Sequence, residues 1–326
     1  MTLRVTYPDE AQKLLERNID LNIGQSNGFG VANAVGNLAT ISWDANRVAE
    51  TIRLSSLMFE ISDAAKSDIL IFASKYFLLC ASIECGDRET ADRLHRDVDE
   101  MGRNWNRSIY RPGDLESWLA YDMFYRGKLT EEILSQAEAL AKGSQNRNSV
   151  AWLHSLRGDW YLALAKPVLA VESLTEGVRM AREVGGEDAR TEALLALARL
   201  RAGENSNTRS ETERLSNRQD RAALIVAELW RELGDRKQAV DHALRAHRWA
   251  VADGEPYVHR YELDRVRALL ANLGVEPLEV PRYDPSKIAL YPWEKDIRIF
   301  VDRLRNEQDE KRTGDKAREP NDRSDQ

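Results

Sequence analysis

The sequence predicts an all-α fold, a right-handed superhelical solenoid of antiparallel helix pairs, and three observations carry that expectation. Residues suited to ending a helix recur at near-regular intervals. The segments between them are amphipathic or apolar at helical spacing. Only six Phe and nine Pro occur in 326 residues, and the abundant Ala, Leu, Arg and Glu are strong helix formers that leave little material for a sheet.

The turns are read at Asn46, Gly86, Gly127, Ala165, Gly203, Gly234 and Gly274, giving intervals of 40, 41, 38, 38, 31 and 40 residues. Stacked helical units repeat within such a window. A glycine ends a helix by adopting a left-handed backbone without steric cost. The clearest unit runs from Ala222 to Val251, where Ala227, Trp230 and Gly234 precede Ala239, Ala243 and Ala246. Alanine at a helix contact lets two backbones approach, and larger side chains fill the gap to the next pair.

The helices follow in order. Asp9–Leu21 is an amphipathic helix carrying Leu14, Leu15, Ile19 and Leu21. The Gly24, Gly28, Gly30 cluster after it reads as a flexible helix-helix loop. Ile69–Ile83 is apolar nearly all round, as an internal helix should be. Its partner Arg88–Met101 puts Ala91, Leu94 and Val98 on one stripe. Trp152–Ala165 contains Gly158 and Tyr161, followed by Ala170. Glu192–Leu200 opens a fifth pair whose partner, Glu211–Arg218, is short and polar.

This small-large-Gly-small order resembles the tetratricopeptide repeat over most of residues 28–274. Asn46 and Ala165 depart from it by replacing the turn glycine, and Glu132 stands where a small residue is usual. Beyond the array, Trp249–Tyr257 and the proline-rich run Pro277, Pro281, Pro285 and Pro292 resemble the end of the sensor arrays carried by bacterial STAND- and NACHT-type signalling ATPases. The resemblance implies a stand-alone or split sensor array, with a signalling ATPase as a candidate partner; the cytoplasmic location is expected from an N-terminus that lacks an apolar signal core.

The expected organisation is an N-terminal helix or cap at 1–27, the repeat array at 28–274, an extended segment and capping helix at 275–306, and a charged disordered tail at 307–326. Residues 275–292 are expected to lie along the last array helix. Lys295–Asn306 should form the capping helix, with Ile297, Ile299, Phe300 and Leu304 on its apolar face. The first helix has no partner before it. Met1–Tyr7 folding over it, a partner protein, or a longer parent chain would each cover its apolar face.

Chemistry is sparse. No phosphate-binding Gly-x-x-x-x-Gly-Lys motif and no Gly-x-Ser-x-Gly elbow occurs. The histidines His95, His154, His242, His247 and His259 show no zinc-ligand spacing. A net charge of −7 argues against a nucleic-acid partner, and no long apolar stretch suits a membrane. Cys80 and Cys85 are poorly spaced for a disulfide. Trp43, Trp160 and Trp230 read as core. Trp105 and Trp118 bracket a loop that they either pack or present.

The reading is therefore non-enzymatic, with no cofactor and no metal: a scaffold or sensor array that binds a protein or peptide in its concave groove. A ligand- or peptide-responsive signalling or transcriptional regulator is the alternative. Aligning the first helices on their turns projects Tyr76, Tyr121, Tyr125, Trp152, Asp159, Arg221, Glu228 and Arg231 into that groove, suiting a ligand with apolar and charged anchors.

Overall fold

The structure is a computed structural model and describes residues 8–104, 113–185, 188–204, 207–218, 220–276, 278–287 and 290–316. All regular structure among them is helical, apart from isolated bridges in one loop region. The helices are α1 (Pro8–Gly24), α2 (Gly28–Asp44), α3 (Val48–Ala64), α4 (Asp68–Cys85) and α5 (Arg88–Asn104). There follow α6 (Asp114–Tyr125), α7 (Glu131–Gly143), α8 (Arg147–Ala163), α9 (Pro167–Glu183) and α10 (Ala189–Arg201). The last are α11 (Thr208–Ser216), α12 (Ala223–Glu232), α13 (Arg236–Val251), α14 (Arg260–Asn272) and α15 (Glu294–Lys316). No helix among the described residues is long and apolar enough to cross a membrane.

Every turn expected from the sequence has a left-handed residue, from φ 54° at Ala165 to 90° at Gly203. In each, the following backbone N–H donates to the carbonyl five residues back. Examples are Arg47 to Ser42 at 2.9 Å, Lys128 to Met123 at 2.8 Å and Asp235 to Trp230 at 2.9 Å. This bond satisfies a carbonyl that the helix end leaves without a partner. The same device joins successive pairs at Ser26, Lys66 and Gln145. Ser26, Lys66 and Gln145 carry no glycine and were not expected as turns.

The chain forms two compact units. The first comprises Met1–Ala81, Glu89–Met101 and Asp284–Gln326, the second Ser82–Arg88 and Gly102–Tyr283. In the first unit α1 packs on α2 and α2 on α3, and the C-terminal α15 packs on α1 and α3. Trp293, Ile297, Phe300 and Val301 of that region enter one core with Ile19, Val35, Leu38, Leu54 and Ile61. The start of α15 is fixed by polar contacts. Arg53 pairs with Glu294, lies 3.5 Å from the buried Glu50, and sits over the Tyr291 ring. Burial and the neighbouring Glu50 carboxylate push the Tyr291 hydroxyl up to about 12.

In the second unit the helices pack in sequence: α6 on α7, α7 on α8, and so on to α13 on α14. First helices of successive pairs also touch, α6 with α8, α8 with α10, α10 with α12 and α12 with α14. That pattern is a helical repeat. Close approach of α8 and α9 depends on Gly158, where a Cβ would lie 2.2 Å from Leu174 Cγ. Beyond α14, Val275 and Val280 pack on the unit's core.

Several expectations need correction. Gly28 and Gly30 are not loop residues but open α2, and a Cβ on Gly28 would lie 2.7 Å from Ala65 Cβ. These glycines serve close packing. On α1, Ile19 enters one core with side chains of α2 and α15, whereas Leu14 and Leu21 stay 54% and 60% exposed; Met1–Tyr7 lies outside the described residues. Helix α15 runs to Lys316, well into the expected disordered tail, and Ile299 is 62% exposed rather than part of its apolar face. Trp230 is buried, but Trp43 and Trp160 are only half-buried. The segment after α14 is held both by that helix, where Arg267 Nη2 donates to Leu278 O at 3.3 Å, and by the loop before it, where Glu255 N–H donates to Pro281 O and Tyr283 N–H to Glu255 O, both at 2.8 Å. The Trp105 side of the expected tryptophan-bracketed loop also lies outside the described residues.

Candidate functional site

Helix α10 is buried on almost every side, from Ala189 and Thr191 through Ala198. A charged side chain in such a helix requires a partner. Arg190 has two. Its Nη2 donates to Asp159 on α8 at 2.8 Å and to Glu262 on α14 at 3.0 Å. Arg265, also on α14, lies 3.3 Å from the same Asp159 and donates to Glu228 on α12 at 3.1 Å. Glu228 accepts in turn from Arg201 at 3.2 Å. The inner faces of the first helices are thus tied to one another by alternating charges.

Burial alone would push the Asp159 carboxyl up, but the guanidinium groups of Arg265 and Arg190 hold it below the usual range. It stays ionised, and its position is over-determined by two planar donors.

A second cluster adjoins the first. Glu84 lies in the last turn of α4, within the second unit. Its carboxylate sits 3.2 Å from His259 Nδ1, accepts from the Tyr121 hydroxyl at 3.3 Å, and is 3.9 Å from Arg221. Burial opposes its charge, yet His259, Arg221 and the tyrosine together hold its pKa down. The His259 ring stacks on Trp249 at 4.2 Å. Burial, reinforced by the Glu84 charge, pushes the Tyr121 hydroxyl far up, so it remains a donor.

Aromatic rings line the same face. Tyr121 meets Tyr125 at 3.9 Å and Trp152 at 5.3 Å, and Tyr125 stacks on Tyr261 at 3.9 Å. Between these rings and the arginines lies a cavity of ≈ 100 Å³ bordered by Tyr121, Trp152, Ser155, Leu156, Asp188, Arg190 and Arg221. Concave sites of mixed aromatic and polar lining are where ligands settle.

Of the residues projected from sequence, Tyr121, Tyr125, Trp152, Asp159, Arg221 and Glu228 come together on this face. Tyr121 and Asp159 are buried and build the face rather than present themselves. Arg221 lies on the short 3-10 turn Asp220–Ala222 before α12, not on a helix. Arg231 reaches only the margin, 3.4 Å from Glu232, itself paired with Arg201 at 2.7 Å. Tyr76 belongs to the first unit, beside Phe77 at 6.2 Å.

No protein-family model and no curated protein matches the chain. The site therefore has to be read from its own chemistry.

Sequence reasoning missed Glu84, Arg190, His259, Glu262 and Arg265. The available signal was Arg190 at the head of an otherwise apolar helix, and the run His259-Arg260-Tyr261-Glu262 opening α14. The remaining histidines have no such setting. His242 and His247 are buried, and burial lowers the pKa of both and of the half-buried His154. Burial pushes the Cys85 thiol up to about 12, which makes it a poor nucleophile. Among the described residues no group of three or more His, Cys, Asp or Glu is placed to hold a metal ion.

Proposed function

We propose that this chain is an interaction module of tetratricopeptide type, a scaffold or sensor that binds a protein or peptide along the inner face of its second unit. The observation that carries the reading is the convergence of Tyr121, Trp152, Arg190 and Arg221 around one open cavity, with Tyr125 packed against Tyr121 beside it. Aromatic side chains and arginine dominate binding energy at protein interfaces because they bury large area and make directional contacts at low entropic cost. Here the aromatic rings are held by one another, and the charges behind them are locked in pairs. A ligand meets a preorganised surface.

The face supports binding better than turnover. Its acids are engaged by arginines, His259 is stacked and bonded, and the tyrosine hydroxyl points at a carboxylate. A bacterial setting and a signalling ATPase as partner are what the resemblance of residues 240–300 adds to this reading, and the cytoplasm is its expected location.

The test is affinity capture from the native cell extract with the intact chain and with Trp152→Ala, followed by cross-linking of the captured complex. The reading expects a stoichiometric polypeptide partner whose cross-links fall on α6, α8 and α10, and which Trp152→Ala releases while helicity is unchanged. A partner retained by that variant and cross-linked elsewhere contradicts it.

A further inference from the structure

The cavity beside Trp152 has an uneven distribution of unused hydrogen-bonding capacity. Arg190 makes both of its bonds through Nη2 alone, so among the described residues its Nε and Nη1 donate to nothing. The Arg221 side chain makes no hydrogen bond among them. Its one ion pair, to Glu84, spans 3.9 Å, and its side chain keeps 43% of its surface open. The acids nearby are in the opposite condition. Asp188 accepts from the Arg190 backbone N–H at 3.0 Å and from the Thr191 hydroxyl at 2.5 Å. Glu84 is engaged by His259 and Tyr121. Among the described residues, this cavity therefore holds guanidinium donors without a partner, whereas Asp188 and Glu84 already accept from protein groups.

We infer that the cavity is a seat for a carboxylate of the bound polypeptide, held between the guanidinium groups of Arg190 and Arg221. This deepens the proposed function and rests on it. Planar guanidinium donors match the two oxygens of a carboxylate. Asp159 and Glu262 hold Arg190 from behind, which fixes the direction of its remaining donors. A volume of ≈ 100 Å³ accepts a carboxylate and a short methylene stem, and the Trp152 ring supplies an apolar wall for that stem. Asp188 and Glu84 set an upper limit on charge. Their charges disfavour the two negative charges of a phosphoryl group more than the single one of a carboxylate.

Two titrations test this, with the full chain throughout. In the first, glutarate and, separately, inorganic phosphate are added at constant ionic strength while the Nε–H resonances of Arg190 and Arg221 are followed. The seat predicts a saturable glutarate shift at both arginines. Arg221→Gln should weaken it about tenfold or more, the loss expected of a charged hydrogen bond, and Arg221→Lys should weaken it less. Absence of a saturable shift, an unchanged shift in Arg221→Gln, or tighter binding of phosphate than of glutarate overturns the assignment.

In the second, a synthetic peptide array presents each sequence with Asp and Glu, with Asn and Gln in their place, and with a free or amidated C-terminus. Binding confined to the acidic forms, and lost in Arg221→Gln, supports a side-chain carboxylate. Binding that needs only the free C-terminus supports a terminal one. Peptides that bind the array in all forms, and bind Arg221→Gln equally, overturn the seat and leave the interaction module standing. A saturable glutarate shift with no peptide bound contradicts the module and overturns the polypeptide occupant, leaving a site for a small carboxylate.

Discussion

The two units solve the same problem of closing a stack of helix pairs in different ways. The first closes with apolar surface: α15 inserts Trp293, Ile297, Phe300 and Val301 among the side chains of α1, α2 and α3. The second has a continuous apolar core of its own, yet the inner faces of its first helices are joined by arginines and carboxylates. Apolar closure is indifferent to which partner fills the space. Buried ion pairs add little net stability but punish any misplacement. The first unit is thus built for closure, and the second for a defined surface.

The largest effect expected from this contrast is in the first unit. Phe300→Ala should cost about 3–5 kcal/mol, measured by urea denaturation, with hydrogen exchange accelerated in α1 to α3. Deleting residues 293–316 should abolish the cooperative transition of that unit. Retained protection of α1 to α3 in the deletion would show that α15 does not close the stack.

Asp159→Asn should have an effect of similar size in the second unit, for another reason. It leaves Arg190 and Arg265 with one acid each, Glu262 and Glu228, and the loss of two buried charged hydrogen bonds costs about 3–5 kcal/mol. A loss below about 1 kcal/mol would mean that water, not protein, satisfies these groups.

Acid sharpens the contrast further. Glu84 and Asp159 have pKa values held below the usual carboxylate range, so the unfolded chain takes up their protons first. Their stabilisation is complete above about pH 4.5 and is lost as pH falls through the depressed folded values. His154, His242 and His247, lowered by burial, act with the same sign from about pH 6.5 downward. All five lie in the second unit. Hydrogen exchange from pH 7 to 4 should show α8 and α13 losing protection progressively, and constant protection there would contradict the assigned shifts.

The smallest effect concerns a turn. Ala165 holds φ 54° on the surface, a backbone that a Cβ disfavours. Ala165→Gly should stabilise the chain by about 0.5–1 kcal/mol, read as a rise in the thermal midpoint.

Much of the fold was legible because turn chemistry is local. Gly86, Gly127, Gly203, Gly234 and Gly274 announce a left-handed residue by their identity. Ser26, Lys66 and Gln145 adopt the same backbone under tertiary packing and announce nothing. The role of α15 was illegible for another reason. An amphipathic helix shows that it has an apolar face, but not which distant surface receives it. Helical register puts Tyr121, Tyr125, Trp152, Asp159 and Glu228 on one face, and Arg221 joins them from the 3-10 turn, where register says nothing. Pairing across 175 residues, as between Glu84 and His259, or across 106, as between Asp159 and Arg265, leaves no mark in a single sequence.

The central claim is that the inner face of the second unit is the binding surface. Hydrogen exchange of the intact chain, free and saturated with its captured partner, addresses it most directly. The account predicts new protection in α6, α8 and α10 and in the turn carrying Arg221, with α1 to α3 unchanged. Protection confined to α1, α2, α3 or α15, with the second unit's first helices unaffected, would contradict it.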